Sequence, residues 1–187
     1  MALTEKDTMR VAIRSYLAAS HLLQNEPGLW DAIVILDSDV QETDFLDRQC
    51  RRHLILRFDD IVTQQSQKLV ATEEDIAAAI AFAANASNLV VSCRAGQSRS
   101  AALAFVIAYK KLGPKAASQL WNPRRHSPNS LVLELASPLI DDPGFLQTYD
   151  HWRASNKGVS LVDYLDEIEA EIDQLEAAGV RNQITVR

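Results

Sequence analysis

Hydrophobic and polar positions alternate between two rhythms through the first hundred residues. Short apolar, β-branched runs read as strands: Ala32-Ile33-Val34-Ile35-Leu36, His53-Leu54-Ile55-Leu56-Arg57-Phe58 and Leu89-Val90-Val91-Ser92-Cys93. Residues 10–15 alternate like a first strand, with a helix running from Thr4 as the competing reading. Helical patterns separate these runs, over 17–24, over a short stretch at 43–51 and over 72–86. Asn25-Glu26-Pro27-Gly28 breaks the first. Thr72 as N-cap and Asp75 three residues on make a near capping box for the last. Strands alternating with helices imply mainly parallel pairing and a three-layer α/β fold, its central sheet flanked by helices.

The rest of the chain is helical in pattern. Residues 100–112 are Ala-rich with Leu103, Phe105, Val106 and Ile107, and Gly113-Pro114 stops them. Further helices are expected over 115–120, 130–139, 142–156 and 161–178, with a loop over 124–129. Phe145, Tyr149 and Trp152 recur at helical spacing, a core pattern, and the last helix is acidic and amphipathic. No repeat or low-complexity linker interrupts the pattern, so 1–187 is read as one domain. A polar lead-in covers 1–8, and an acidic amphipathic helix and tail cover 159–187.

Charge narrows the partners. The chain carries a net charge of −6, which disfavours non-specific binding to nucleic acid or anionic membranes. No apolar run approaches about 18 residues, and the first ten residues lack a basic-then-apolar signal pattern. The two cysteines, Cys50 and Cys93, form neither a disulfide framework nor a metal-ligand spacing, and His21, His53 and His151 are scattered. A reducing cytoplasm is the expected home, with Cys50 structural rather than a redox partner of Cys93.

The chemistry concentrates after the strand at 89–93. Cys93 and Arg99 are separated by five residues, Arg94-Ala95-Gly96-Gln97-Ser98, and a helix begins at once. A loop of that length closing on a helix N-terminus can aim successive N–H groups at one centre, a nest for an anion. Arg99 can grip two phosphate oxygens bidentately, while N–H dipoles and this cation favour a Cys93 thiolate. Gly96 permits a positive φ or a close backbone approach, and Ser100 can donate a hydrogen bond to the sulfur. The loop thus binds a phosphate and aims a nucleophile at its phosphorus.

Cys93-Arg94-Ala95-Gly96-Gln97-Ser98-Arg99-Ser100 resembles the signature loop of the cysteine-based protein tyrosine phosphatases. Its Ala-Gly-x-Ser-Arg-Ser wording is similar to the dual-specificity branch, particularly its short bacterial members. One position departs: the family usually has His directly before the Cys, in the network that tunes the nucleophile, and this chain has Ser92. The resemblance implies a phosphatase-like fold and a general acid on a loop about thirty residues before the nucleophile. Phe58-Asp59-Asp60-Ile61 looks like that loop, with Asp60 in the acid's place and Asp59 as the alternate. Ser127-Pro128-Asn129 resembles a turn whose Asn braces the signature loop, a role carried to Asn129 alone; Pro128 is also read as the first residue of a helix capped by Ser127. Arg124, Arg125 and His126 are read as a solvated loop.

The resemblance implies a phosphomonoester hydrolase using a cysteinyl-phosphate, with no metal or organic cofactor. Its substrate would be a protein carrying phosphotyrosine, with phosphoserine or phosphothreonine in dual specificity, or a small phosphomonoester. Phosphate, sulfate or vanadate would occupy the loop. Three rivals are a binding module that keeps the nest without turnover, a rhodanese-like sulfur transferase, and a phosphatase of phosphoinositides or nucleotides.

Overall fold

The computed structural model describes residues 9–43, 49–156, 161–179 and 184–186. Its centre is a sheet of four parallel strands in the order β1 (Arg10–Ser15), β5 (Asn88–Cys93), β2 (Asp31–Leu36) and β4 (Arg52–Arg57). The two central strands, β5 and β2, are almost wholly buried, which explains why their sequences are continuous apolar runs rather than alternating ones. The competing readings of 10–15 resolve as a strand. Those residues pair in register with β5, and Ser15 caps the following helix by accepting from the Ala18 N–H at 3.2 Å.

Two packed layers cover the sheet. On one face, Ile13, Ile33, Leu89, Val91 and Cys93 meet residues from α2 (Glu73–Ala83), α3 (Arg99–Leu112) and α5 (Ser130–Ile140). On the other, Ala12, Ala32, Val34 and Val90 meet α1 (Tyr16–Asn25) and Trp30. The expected three-layer α/β architecture with helical C-terminal third is what the chain adopts, completed by α4 (Pro114–Ser118), α6 (Gly144–Ser155) and α7 (Leu161–Ala177), which packs on α1. The capping box forms: the Asp75 N–H donates to Thr72 Oγ1, and the Thr72 N–H donates to Asp75 Oδ2.

Three expectations need correction. The helix over 72–86 ends at Ala83, because 84–87 turn into β5. The cap of α5 is Asn129, not Ser127; its Oδ1 accepts from the Val132 N–H at 3.2 Å, and Pro128 lies outside the helix. Val40–Thr43 is a strand, β3, paired antiparallel with β6 (Ile184–Val186) in a separate small sheet. Strands of four and three residues are too short for periodicity to register. Most of the helix expected over 43–51 lies outside the described residues. No helix among the described residues is long and apolar enough to cross a membrane.

The helix that carries Arg99 is anchored from behind by rings. Phe105 stacks on Trp121 with centroids 4.0 Å apart, and Phe145 meets Tyr109 edge-on at 5.0 Å. Trp121 Nε1 donates to the buried Ala101 carbonyl at 3.0 Å, so the cluster clamps the first turns of α3. Phe105→Ala is therefore expected to destabilise the fold by about 3–5 kcal/mol, measured by urea unfolding.

Candidate active site

Parallel sheets bind ligands beyond the carboxyl ends of their strands, where β1, β5, β2 and β4 all terminate here. Ser15 and Cys93 are register partners, so β1 and β5 end level. The loop 94–98 then turns back over the β1–α1 junction. Gly96 adopts φ +69°, and a Cβ there would lie 2.4 Å from the Arg14 carbonyl carbon and the Ser15 nitrogen. Only glycine satisfies both conditions.

The carbonyls of this loop are held by later elements. Ser98 accepts from the Ala102 N–H at 2.9 Å and the Asn129 N–H at 3.3 Å, and Gln97 accepts from the Ser127 N–H at 3.2 Å. The backbone N–H groups of Ala95, Gly96, Gln97 and Ser98 have no protein acceptor among the described residues. Such groups need water or a ligand.

Cys93 and Arg99, 2% and 3% exposed, stand at the two ends of the loop. Cys93 Sγ is 3.1 Å from Ser100 Oγ. Arg99 Nη1 donates to the Phe58 carbonyl at 2.8 Å and pairs with Asp37 Oδ1 at 2.5 Å. Its Nε is buried without a hydrogen-bond partner. Burial opposes the charge of this guanidinium, but Cys93, Asp37 and Asp60 outweigh it, so the Arg99 pKa is raised above its ordinary value.

The two consecutive aspartates have opposite surroundings. Asp59, 3% exposed, accepts from the Leu69 N–H at 2.8 Å, Lys68 Nζ at 3.2 Å and the Ser38 N–H at 3.3 Å. Burial pushes its pKa up, but the bonds from Leu69, Ser38 and Lys68 prevail and hold it at about 2. Such a carboxyl is ionised throughout the neutral range and staples the loop that carries its neighbour. Asp60 is exposed and uses only Oδ1, which accepts from Ser98 Oγ at 2.7 Å and Asn129 Nδ2 at 2.8 Å. Oδ2 has no hydrogen-bond partner among the described residues.

Asn129, expected to hydrogen-bond the loop after Cys93, reaches it through its backbone N–H, while its side chain donates to Asp60 and caps α5. Cys93, Arg99 and Asp60 line one cavity of about 500 Å³, with Arg94, Ala95, Gln97 and Ser98 from the loop, and Ser100 lies beneath the sulfur. Sequence reasoning missed two of its walls, Asp37 and Asp39. Asp37 Oδ2 accepts from Arg94 Nε at 2.5 Å, and Asp39 Oδ1 accepts from Arg94 Nη2 at 3.0 Å. The signal was present: both follow the strand that adjoins β5, at the same sheet edge.

Arg124, Arg125 and His126 line a neighbouring groove of about 640 Å³ that shares Asp60, Gln97 and Ser98 with the cavity. Arg125 pairs with Glu171 of α7. His126 Nδ1 accepts from the Asn122 N–H at 2.9 Å; burial first, then Arg125 and Arg14, lower its pKa to about 4, so it is neutral at pH 7. This segment is thus more tied down than the solvated loop its composition suggests. Ser92 Oγ is buried, 1% exposed, without a partner. The two cysteines lie on opposite faces of the sheet, Cys50 packing against the α1 side and Cys93 against the α3 side. No cluster of three or more potential metal ligands occurs among the described residues.

No family model and no curated protein matches the chain. Among solved structures, the crystal structure of the Yvh1 phosphatase domain from Chaetomium thermophilum aligns with a TM-score of 0.39 and 14% identity, covering 80% of this chain and 94% of that one. Similarity of that extent carries no functional inference, and the reading of the site rests on its own geometry.

Two outcomes follow from this geometry. Gly96→Ala is expected to cost about 1–3 kcal/mol in unfolding experiments, because a methyl group cannot enter against the Arg14–Ser15 backbone. Asp59, whose pKa is lower folded than unfolded, stabilises the fold fully above about pH 4 and loses that contribution as pH falls toward about 2. Wild type should therefore exceed Asp59→Asn in unfolding free energy at pH 7, and the gap should close on acidification; a constant gap would refute the assignment.

Proposed function

We propose that the protein is a phosphomonoester hydrolase of the protein tyrosine or dual-specificity phosphatase type, acting through a cysteinyl-phosphate in a reducing cytoplasm. One observation carries this reading. Cys93 and Arg99 line one cavity, Arg99 keeps an Nε without a hydrogen-bond partner, and the loop between them has middle N–H groups with no protein acceptor among the described residues. That combination suits an oxyanion next to a nucleophile, and it suits the trigonal phosphoryl group of a transition state better still.

In the proposed reaction the Cys93 thiolate attacks phosphorus in line with the departing oxygen. The N–H groups of residues 94–99 and the Arg99 guanidinium bind the three equatorial oxygens. Asp60 gives its proton to the leaving oxygen; with Oδ1 held by Ser98 and Asn129, Oδ2 is the atom that carries it. Water then attacks the cysteinyl-phosphate and loses its proton to Asp60, and the sulfur departs as thiolate with a hydrogen bond from Ser100. The donors that hold the Asp59 pKa at about 2 favour Asp60 over Asp59 as the acid. The substrate proposed is a phosphorylated protein, phosphotyrosine first, and no metal takes part.

Hydrolysis of para-nitrophenyl phosphate in the presence of EDTA tests this. Wild-type turnover should survive the chelator, and Cys93→Ser should abolish it. Arg99→Lys should lower kcat/KM by about 10²–10³-fold. Asp60→Asn should lower kcat by about 10²-fold or more and remove the fall in rate on the alkaline side, which reports loss of the acid's proton. Turnover that persists in Cys93→Ser would overturn the mechanism.

A further inference from the structure

We propose that Asp37 is a positioning residue, resting on the phosphatase reading above: it backs Arg99 and leaves one edge of that guanidinium free for the phosphate. A guanidinium is planar and rigid, so fixing one nitrogen fixes the direction of the others. Arg99 Nη1 is committed twice, to Asp37 Oδ1 at 2.5 Å and to the Phe58 carbonyl at 2.8 Å. What remains is the Nε–Nη2 edge, and Nε is the buried atom without a partner. That edge is a two-pronged donor of the spacing that phosphate oxygens accept.

Asp37 is itself well fixed. It is 7% exposed and follows a strand end that the Tyr16 hydroxyl pins by donating to the Ile35 carbonyl at 2.5 Å. Its second oxygen accepts from Arg94 Nε at 2.5 Å, and Arg94 is tied in turn to Asp39. One carboxylate thus divides two cations of the same loop between two tasks. Arg94 becomes a brace spanning Asp37 and Asp39, while Arg99 keeps an open edge. Asp37 also sets a carboxylate directly against this buried cation. The contrary role would be competition, with Asp37 holding Arg99 in place of phosphate; the orphaned Nε argues against it, because a competitor would take the free edge.

The experiment uses the full chain. Phosphate affinity is measured by calorimetry, kcat and KM with para-nitrophenyl phosphate, and the thermal midpoint of each variant. Asp37→Asn, which removes charge but not volume, should weaken phosphate binding and lower kcat/KM by about tenfold or more while the protein stays folded. In an Arg99→Lys background the same change should cost less than about twofold, since no guanidinium is left to orient. A purely structural role would give the same loss in both backgrounds and would overturn the proposal. Tighter phosphate binding by Asp37→Asn, or unchanged binding, would overturn it as well. Should that variant not fold, Arg94→Ala tests the same claim by loosening Asp37 from its brace; it should weaken phosphate binding, and unchanged affinity refutes the role. Active wild type with an indifferent Asp37→Asn sinks this inference alone. Wild type that neither binds phosphate nor turns over sinks the phosphatase reading with it.

Discussion

The close approach of Gly96 to the Arg14–Ser15 backbone is the contact on which the site depends. It exists because two parallel strands end level: Ser15 and Cys93 are register partners, so the chain leaving β5 can turn back over the end of β1. A shift of one residue in that pairing would move Cys93 to the opposite face of the sheet and put a different residue against the β1–α1 junction. The loop's shape is thus a consequence of sheet register, and the sheet is fixed by cores on both of its faces. Helix α3 is fixed by the same logic, its Phe105 stacked on Trp121 and its Tyr109 edge-on to Phe145. Cys93 and Arg99 are therefore carried by rigid elements, while Asp60 sits on a long loop.

Charge is distributed around the cavity by pairing. Four aspartates and three cations line it, and each is assigned a partner by position. Asp59 takes Lys68 and two backbone N–H groups, which closes the loop from 59 to 69 on itself. Asp37 and Asp39 take Arg94, and Asp37 also backs Arg99. Asp60 accepts from neutral donors only, Ser98 and Asn129. Of two adjacent carboxyls in one loop, burial and backbone donors commit the first to the ionised form, while the second keeps an oxygen clear of hydrogen bonds. Their chemistry differs because their partners differ.

Much of this was legible in the sequence, for reasons that particular residues make plain. Apolar β-branched runs mark β2 and β5 because a parallel sheet buries both faces of its central strands, and the loop from Cys93 to Ser100 is local, so its residues are read off in order. What local pattern could not supply is contact between distant segments. Asp37 looked like a polar strand exit; only the strand order, with β2 beside β5, brings it to Arg94 and Arg99, 57 positions and 62 positions away in numbering. Asn129 was singled out for a contact with the loop after Cys93, but the partner of its side chain, Asp60, 69 positions away, was not foreseen. Strands β3 and β6 escaped notice because a few residues carry too little periodicity to stand out.

Asn129 shows how the two halves of the site are kept in register with each other. Its Oδ1 starts α5, its Nδ2 holds Asp60, and its N–H meets the Ser98 carbonyl, so one residue joins a helix, the loop of Asp60 and the loop after Cys93. Ser98 closes the triangle by donating its own hydroxyl to the same Asp60 oxygen. The position of Asp60 relative to the loop after Cys93 is then set by a short chain of hydrogen bonds as well as by the long loop that carries Asp60. Hydrogen bonds that share partners reinforce one another, so Asp60 is held against Ser98 and Asn129 although the loop that carries it is long.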